Sequence, residues 1–390
     1  MTDEQRTWWL PRAALNELIR LLAGDGYEVV GPTVDQAAIV YGRIESVADL
    51  PEGWTDRQGP GEYRLEQRGD KQLFGYVVGP HSWKKYLFPA DELVAAARRA
   101  GDTWQFTTPE AAPRRYAFLG VRACELAAIA VQDRVFLGGP YVDPLYRARR
   151  EAVLLIAVNC TQAAATCFCT SMNTGPRCAA GFDLALTELE QGFTVECGSD
   201  RGRELLRRLV PAGEPVPADA DQLQAAESAR SQAVAQITRH MNTDGLRDLL
   251  LGNLDSPRWD AIAERCLSCT NCTMVCPTCF CSTVTEVAEL TQVDRRRQWD
   301  SCFNIDFSRV NGNPARNTIA GRYRQWLTHK LATWHDQFGT SGCVGCGRCI
   351  TWCPPGIDLT EEVVELRAGS SRPSSSANVQ ISADSSGADA

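Results

Sequence analysis

Between residues 114 and 160 the hydrophobic pattern changes period twice. AFLGV (117–121) is a short continuous apolar run, ACELAAIAV (123–131) is apolar at helical spacing, and AVLLIAVNC (152–160) is a second apolar run. Short apolar strands separated by helix-like text belong to a sheet covered on both faces, where each strand is buried on both sides. DLALTEL (183–189) and GFTVECG (192–198) read as two further strands. YRLEQRGDKQLFGYVVG (63–79) reads as a hairpin turning at RGDK between runs rich in aromatic and β-branched residues. Residues 1–212 are therefore expected to form an α/β domain.

The pattern then becomes polar. GEPVPADADQLQAAESARSQAVAQITRHMNTDGL predicts a proline-containing linker and a connecting helix over 213–254. From 255 to 366 the periodicity is helical. Ser256 is a candidate N-cap with Pro257 at the first helical position, and Trp259, Ile262, Ala263 and Cys266 share one face. Ile319, Tyr323, Trp326, Leu327, Leu331, Trp334 and Phe338 recur at threes and fours, predicting one long amphipathic helix. The expected fold class is thus an α/β N-terminal domain followed by an all-α module with cysteine loops between its helices. Residues 367–390, rich in serine, glycine and alanine, are expected to form a disordered tail.

Composition narrows the function. A net charge of −8 argues against nucleic acid as the main partner, and DRRRQW (294–299) reads as a solvated helix face. AVLLIAV (152–158) is far shorter than the ~20 residues that cross a bilayer, so no membrane span is expected. MTDEQRTWWLPRAALNEL lacks the charge order and apolar core of an export signal, which points to the cytoplasm. Seventeen cysteines in such a chain are expected to be reduced and to ligate metal or carry redox chemistry.

Eight of them form two runs of one spacing. Cys266, Cys269, Cys272 and Cys276 precede Pro277; Cys343, Cys346, Cys349 and Cys353 precede Pro354. C-x2-C-x2-C-x3-C-P is the bacterial 4Fe-4S signature, since closely spaced thiolates on a tight loop each reach a separate iron of a cubane. A zinc site would show separated C-x2-C pairs or nearby histidine, and no histidine adjoins either run. In two-cluster proteins the fourth cysteine of each run serves the other cluster. The expected ligand sets are Cys266, Cys269, Cys272 and Cys353 for one 4Fe-4S cluster, and Cys343, Cys346, Cys349 and Cys276 for the other.

A further group lies in the N-terminal domain. Cys124 and Cys160 each follow a predicted strand, where open α/β sheets place ligand sites, and Cys167 and Cys169 come soon after. These four are candidates for a third 4Fe-4S cluster, against the plainer reading of buried strand-end residues. Cys279, Cys281 and Cys302 read as small packed residues beside the clusters, and Cys178 and Cys197 as structural. No G-x-G-x-x-G follows a strand, and no P-loop or G-x-S-x-G appears. His81, His240, His329 and His335 sit in unrelated contexts, so no catalytic residue and no nucleotide or flavin site of the chain's own is expected.

With these residues in view, the sequence resembles the β (iron-sulfur) subunits of soluble NAD(P)-linked nickel-iron hydrogenases, the sulfhydrogenases. The A-type electron-relay component of anaerobic sulfite reductase belongs to the same wider family. The resemblance rests on FLGVRACEL (118–126), DPLYRARRE (143–151), VNCTQAAATCFCTSMNTGP (158–176), GFDLALTEL (181–189), CLSCTNCTMVCPTCFC (266–281), WDSCF (299–303), RYRQWLTHK (322–330) and CVGCGRCITWCP (343–354). It implies an electron-transfer subunit that relays electrons between a partner carrying flavin and NAD(P) and the hydrogenase small subunit, in a complex with the large subunit. It also implies the eight cysteines of the two runs as ligands in a helical dicluster domain. The N-terminal cysteines are similar to the cluster-holding segment of F420-reducing β subunits. The equivalent component of a sulfite reductase complex and a free-standing ferredoxin-like carrier remain alternatives at this point.

Overall fold

Leu154–Val158 and Leu184–Glu188 are buried at every position, which is why both read as unbroken apolar text. A computed structural model describes residues 7–108, 114–210 and 215–370. Its main sheet has eight strands, in the order Val216–Pro217, Thr7–Pro11, Gly192–Cys197, Leu184–Glu188, Leu154–Val158, Tyr116–Val121, Glu28–Asp35, Ala38–Arg43. The strands from Glu28–Asp35 to Leu184–Glu188 run parallel to their neighbours, and the pairs outside them are antiparallel. Cys124 opens the Ala123–Phe136 helix and Cys160 follows the Leu154–Val158 strand, so both leave the carboxyl ends of adjacent parallel strands.

The expected hairpin at 63–79 does not form. Glu62–Gln67 pairs instead with the preceding strand Trp54–Gly59, and residues 68–82 run without strand or helix beneath the sheet. Leu73, Phe74 and Tyr76 are held there by burial. The carboxylate of Glu188 satisfies the backbone N–H groups of Leu73 and Phe74, and the Arg122 guanidinium satisfies the carbonyls of Phe74 and Tyr76. Side chains thus supply the partners that a ladder would have given.

The all-helical expectation for 255–366 also fails. Ser282–Ala288 and Gln292–Trp299 form a hairpin that extends Asp91–Ala100 and Thr103–Thr107 into a four-stranded antiparallel sheet. Thr283, Val284, Thr285 and Val287 are β-branched, the composition a strand favours. DRRRQW is therefore a strand, not a helix face. Arg296 pairs with Asp91 of the neighbouring strand, and Arg297 with Glu92 and Asp143.

Apart from the short antiparallel pair Arg309–Val310 and Asn313–Pro314, the other regular elements here are helical. Arg258–Ala263 starts one residue after Pro257, with Ser256 Oγ accepting from the Arg258 N–H at 3.3 Å. The long amphipathic pattern forms Ile319–Thr328 and Trp334–Phe338, joined through a π-helical turn, His329–Thr333. The connecting helix Ala220–Gln236 opens on a reciprocal cap between Asp219 and Gln222. Leu359–Ser370 is helical past residue 366, and the rest of the expected tail lies outside the described residues.

Candidate metal centres

The two cysteine runs fold alike. In each, the second residue after the first cysteine and the residue after the second cysteine take left-handed backbone: Ser268 (φ 54°) and Thr270 (φ 69°), then Gly345 (φ 64°) and Gly347 (φ 76°). A one-turn helix follows, Asn271–Met274 or Arg348–Thr351. In each, a backbone N–H turns back onto the first sulfur, Ser268 to Cys266 Sγ at 3.4 Å and Gly345 to Cys343 Sγ at 3.5 Å. Ile357 donates to Cys353 Sγ at 3.4 Å. Such bonds favour thiolate, the ligating form, and fix its direction.

Cys266, Cys269 and Cys272 line one cavity with Cys353 of the other run. Cys349 reaches its inner wall, and Phe303, Tyr323, Trp326 and Ile357 supply an apolar lining. Cys269 is exposed and is the outermost of these thiols. The second expected set is more deeply placed, since Cys276, Cys343 and Cys346 are buried and Cys349 half-buried. There the Lys330 ammonium donates to Cys276 Sγ at 3.1 Å, to Thr278 Oγ1 at 3.2 Å and to the Gly342 carbonyl at 2.9 Å. A hydrogen bond from the Cys279 thiol, reinforced by the Lys330 charge, holds Cys276 well below the ordinary thiol range. Lys330 sits in the π-helical turn, a device common at functional sites.

Cys124, Cys160, Cys167 and Cys169 come together, lining one cavity with Val77, Val78, Pro176 and Ile237. Cys346 of the second run reaches the same cavity. Burial pushes the thiols of Cys124, Cys272 and Cys349 well above their ordinary pKa, so iron must displace their protons to be held by them. Buried guanidinium nitrogens lie close by: Nε of Arg122, which lines this cavity, and Nη1 of Arg348 have no hydrogen-bond partner in the protein. Unpaired buried cation donors beside buried thiols suit a group that brings negative charge, as a thiolate-bound iron-sulfur cluster does. The residues fit such clusters.

The chain belongs to the sulfhydrogenase β-subunit family. It is 33% identical over 258 residues to sulfhydrogenase 2 subunit beta of Pyrococcus furiosus, an alignment covering 65% of this chain and 75% of that relative. Residues 265–357 match the family described as a 4Fe-4S dicluster domain. Both runs lie inside that match, so this β-subunit homologue carries an iron-sulfur dicluster domain.

Sequence reasoning missed the groups that tie the N-terminal cysteine group to the second run. Arg348, directly after Gly347, forms a fully buried ion pair with Glu125, the neighbour of Cys124, at 2.6 Å. Glu125 also accepts from Tyr41 Oη at 2.7 Å and Trp83 Nε1 at 3.0 Å. The signals were present as a charged residue next to a candidate ligand in each segment, Glu125 in RACEL and Arg348 in CGRC, but nothing linear pairs them. Cys178 is buried, its N–H bonded to Asn159 Oδ1 at 2.7 Å. Cys279 touches Cys276, and Cys281 touches Cys302.

Proposed function

We propose that this iron-sulfur electron-transfer subunit of a hydrogenase relays electrons through three 4Fe-4S centres. The ligand sets are Cys266, Cys269, Cys272 and Cys353; Cys343, Cys346, Cys349 and Cys276; and Cys124, Cys160, Cys167 and Cys169. The observation that carries the reading is the shared lining of the two cavities: Cys349 reaches that of Cys266 and Cys346 that of Cys124, so the second run adjoins both. Bound clusters supply one-electron carriage. The thiolates hold them, Lys330 and Arg348 lend positive charge that favours the reduced form, and Phe303, Tyr323 and Trp326 give the first site an apolar wall.

In this reading a partner that binds flavin and NAD(P) docks on one side and the small subunit of a nickel-iron enzyme on the other, with the large subunit in the same complex. The chain itself binds no nucleotide or flavin. Among the described residues no helix is long and apolar enough to cross a membrane. Anaerobic purification of the tagged chain with its native partners tests the proposal. About twelve irons per chain, by the arithmetic of three cubanes, with nickel and flavin in the co-purifying subunits, is the expected result. About eight irons would remove the third centre, and siroheme without nickel would move the relay to another enzyme.

A further inference from the structure

Cys279, Cys281 and Cys302 have no place among these ligand sets, and the last two meet across a hairpin. Cys281 immediately precedes the Ser282–Ala288 strand, and Cys302 lies just beyond its partner Gln292–Trp299. The ladder continues past the last pair, Ser282 with Trp299, through an Asp300 N–H to Cys281 carbonyl bond of 2.9 Å. That end of the hairpin brings the two sulfurs together. Cys302 turns both its thiol and its backbone N–H toward Cys281 Sγ. Both residues are half-buried, so neither is sealed from small solutes.

The surroundings favour one thiolate in this pair. Lys84, itself buried, donates to the Cys279 carbonyl at 3.1 Å and lies 3.8 Å over the Trp299 ring. The hydrogen bond from Cys302, together with its N–H and the Lys84 charge, pulls Cys281 down to about 7, although burial and Asp300 oppose this. Cys302 is pushed far up by donating that bond. One sulfur is thus poised as nucleophile and the other as proton-bearing partner, the division of labour in thiol-disulfide exchange. Cys302 also packs in the same apolar cluster as Cys266, Cys272, Cys349 and Cys353.

We propose that Cys281 and Cys302 form a redox-active dithiol that exchanges with low-molecular-weight disulfides and is reopened by electrons from the adjoining dicluster sites. The Cys281 thiolate attacks a disulfide RSSR, forming a Cys281–SR bond and releasing RS⁻. The Cys302 sulfur then attacks Cys281 Sγ, its proton passes to the departing thiolate as RSH, and the Cys281–Cys302 bond closes. The pair has lost two electrons and RSSR has gained them. Reopening takes up two electrons and one proton, restoring the thiolate and the thiol. Two one-electron centres beside the pair match that demand, and this half of the inference rests on the proposed relay.

The test uses the full chain, purified anaerobically with its iron. It is equilibrated over a series of reduced to oxidised glutathione ratios, quenched by alkylation and read by peptide mass spectrometry. The expected result is a Cys281–Cys302 disulfide that forms with a two-electron midpoint while Cys178 and Cys197 stay alkylated. In Cys302→Ser, glutathione should accumulate as a mixed disulfide on Cys281, whereas Cys281→Ser should trap none on Cys302. Equal alkylation of all these cysteines across the series would overturn the dithiol. Dithionite is then added, with protein-free glutathione disulfide as the control for direct reduction. Loss of the protein disulfide as the cluster spectrum bleaches supports the coupling, and a disulfide that outlasts the bleaching overturns it. Iron analysis and the cluster spectrum report independently on the relay, so its failure is distinguishable from failure of the dithiol.

Discussion

The two cysteine runs share spacing, left-handed turns and a backbone bond to the first sulfur, yet they differ in what surrounds them. The first run faces outward: Leu267 is 64% exposed, Cys269 is exposed, and its left-handed positions are occupied by Ser268 and Thr270. The second is pressed against the N-terminal domain, and its left-handed positions are glycines. A Cβ on Gly345 would stand 2.6 Å from the Phe168 carbonyl oxygen and one on Gly347 2.5 Å from that of Thr166. Backbone and side-chain bonds close the same junction, from Phe168 N–H to the Gly345 carbonyl at 2.9 Å and from Thr174 Oγ1 to the Val344 carbonyl at 2.6 Å. One ligand spacing therefore serves two roles, an outer loop that tolerates side chains and an inner loop that cannot, because only the inner one must lie against the Cys167–Cys169 segment.

Breaking the inner junction should have the largest effect. Arg348→Met leaves Glu125 buried without its cation, and removal of one partner of a buried pair costs about 3–5 kcal/mol. The matching outer substitution, Asn271→Leu, loses only an exposed bond to the Trp352 carbonyl and should cost below about 1 kcal/mol. Anaerobic denaturant midpoints of the two variants check the contrast.

Gly347→Ala comes next. The left-handed conformation costs an alanine about 1–2 kcal/mol, and the contact with the Thr166 carbonyl adds to it. Iron per chain should fall in this variant, while Thr270→Gly, at the equivalent outer position, should keep its iron and stay within about 1 kcal/mol of the parent.

A smaller change sharpens the electrostatic side. Lys330→Met removes the positive charge donating to Cys276, which disfavours an added electron, so the potential of that centre should fall by on the order of 100 mV. A redox titration followed by electron paramagnetic resonance should show one signal moving, with the centre at Cys269 shifted less. A modest effect on stability is expected for Ser268→Ala, whose hydroxyl donates to the Phe303 carbonyl and accepts from the Arg322 guanidinium; its loss should cost about 0.5–1.5 kcal/mol with iron content unchanged.

Much of the centres was legible before the fold. The strands ending at Val121 and Val158 were readable because burial on both faces leaves an unbroken apolar run, which put Cys124 and Cys160 at strand ends; that these strands are neighbours came from the fold. The segment 282–299 was misread because its arginines suggested a helix face, whereas their partners Asp91, Glu92 and Asp143 lie far away in the chain. The expected hairpin at 63–79 failed for a related reason: the strand Glu62–Gln67 had a closer partner in Trp54–Gly59, and Glu188 and Arg122 took over the backbone of the residues that followed.

Two cysteine runs of one spacing, each with its proline, and a third thiol group at strand ends are written in the linear chain, because cysteine spacing and hydrophobic period are local properties. Tertiary structure decided how those thiols are grouped. Only folding brings Cys353 to the cavity of Cys266 and Cys346 to the cavity of Cys124, pairs Arg348 with Glu125, and sets Cys281 against Cys302. These are contacts between distant segments, whose partners are chosen by burial and by the need to satisfy buried charge, and a linear pattern does not encode that choice.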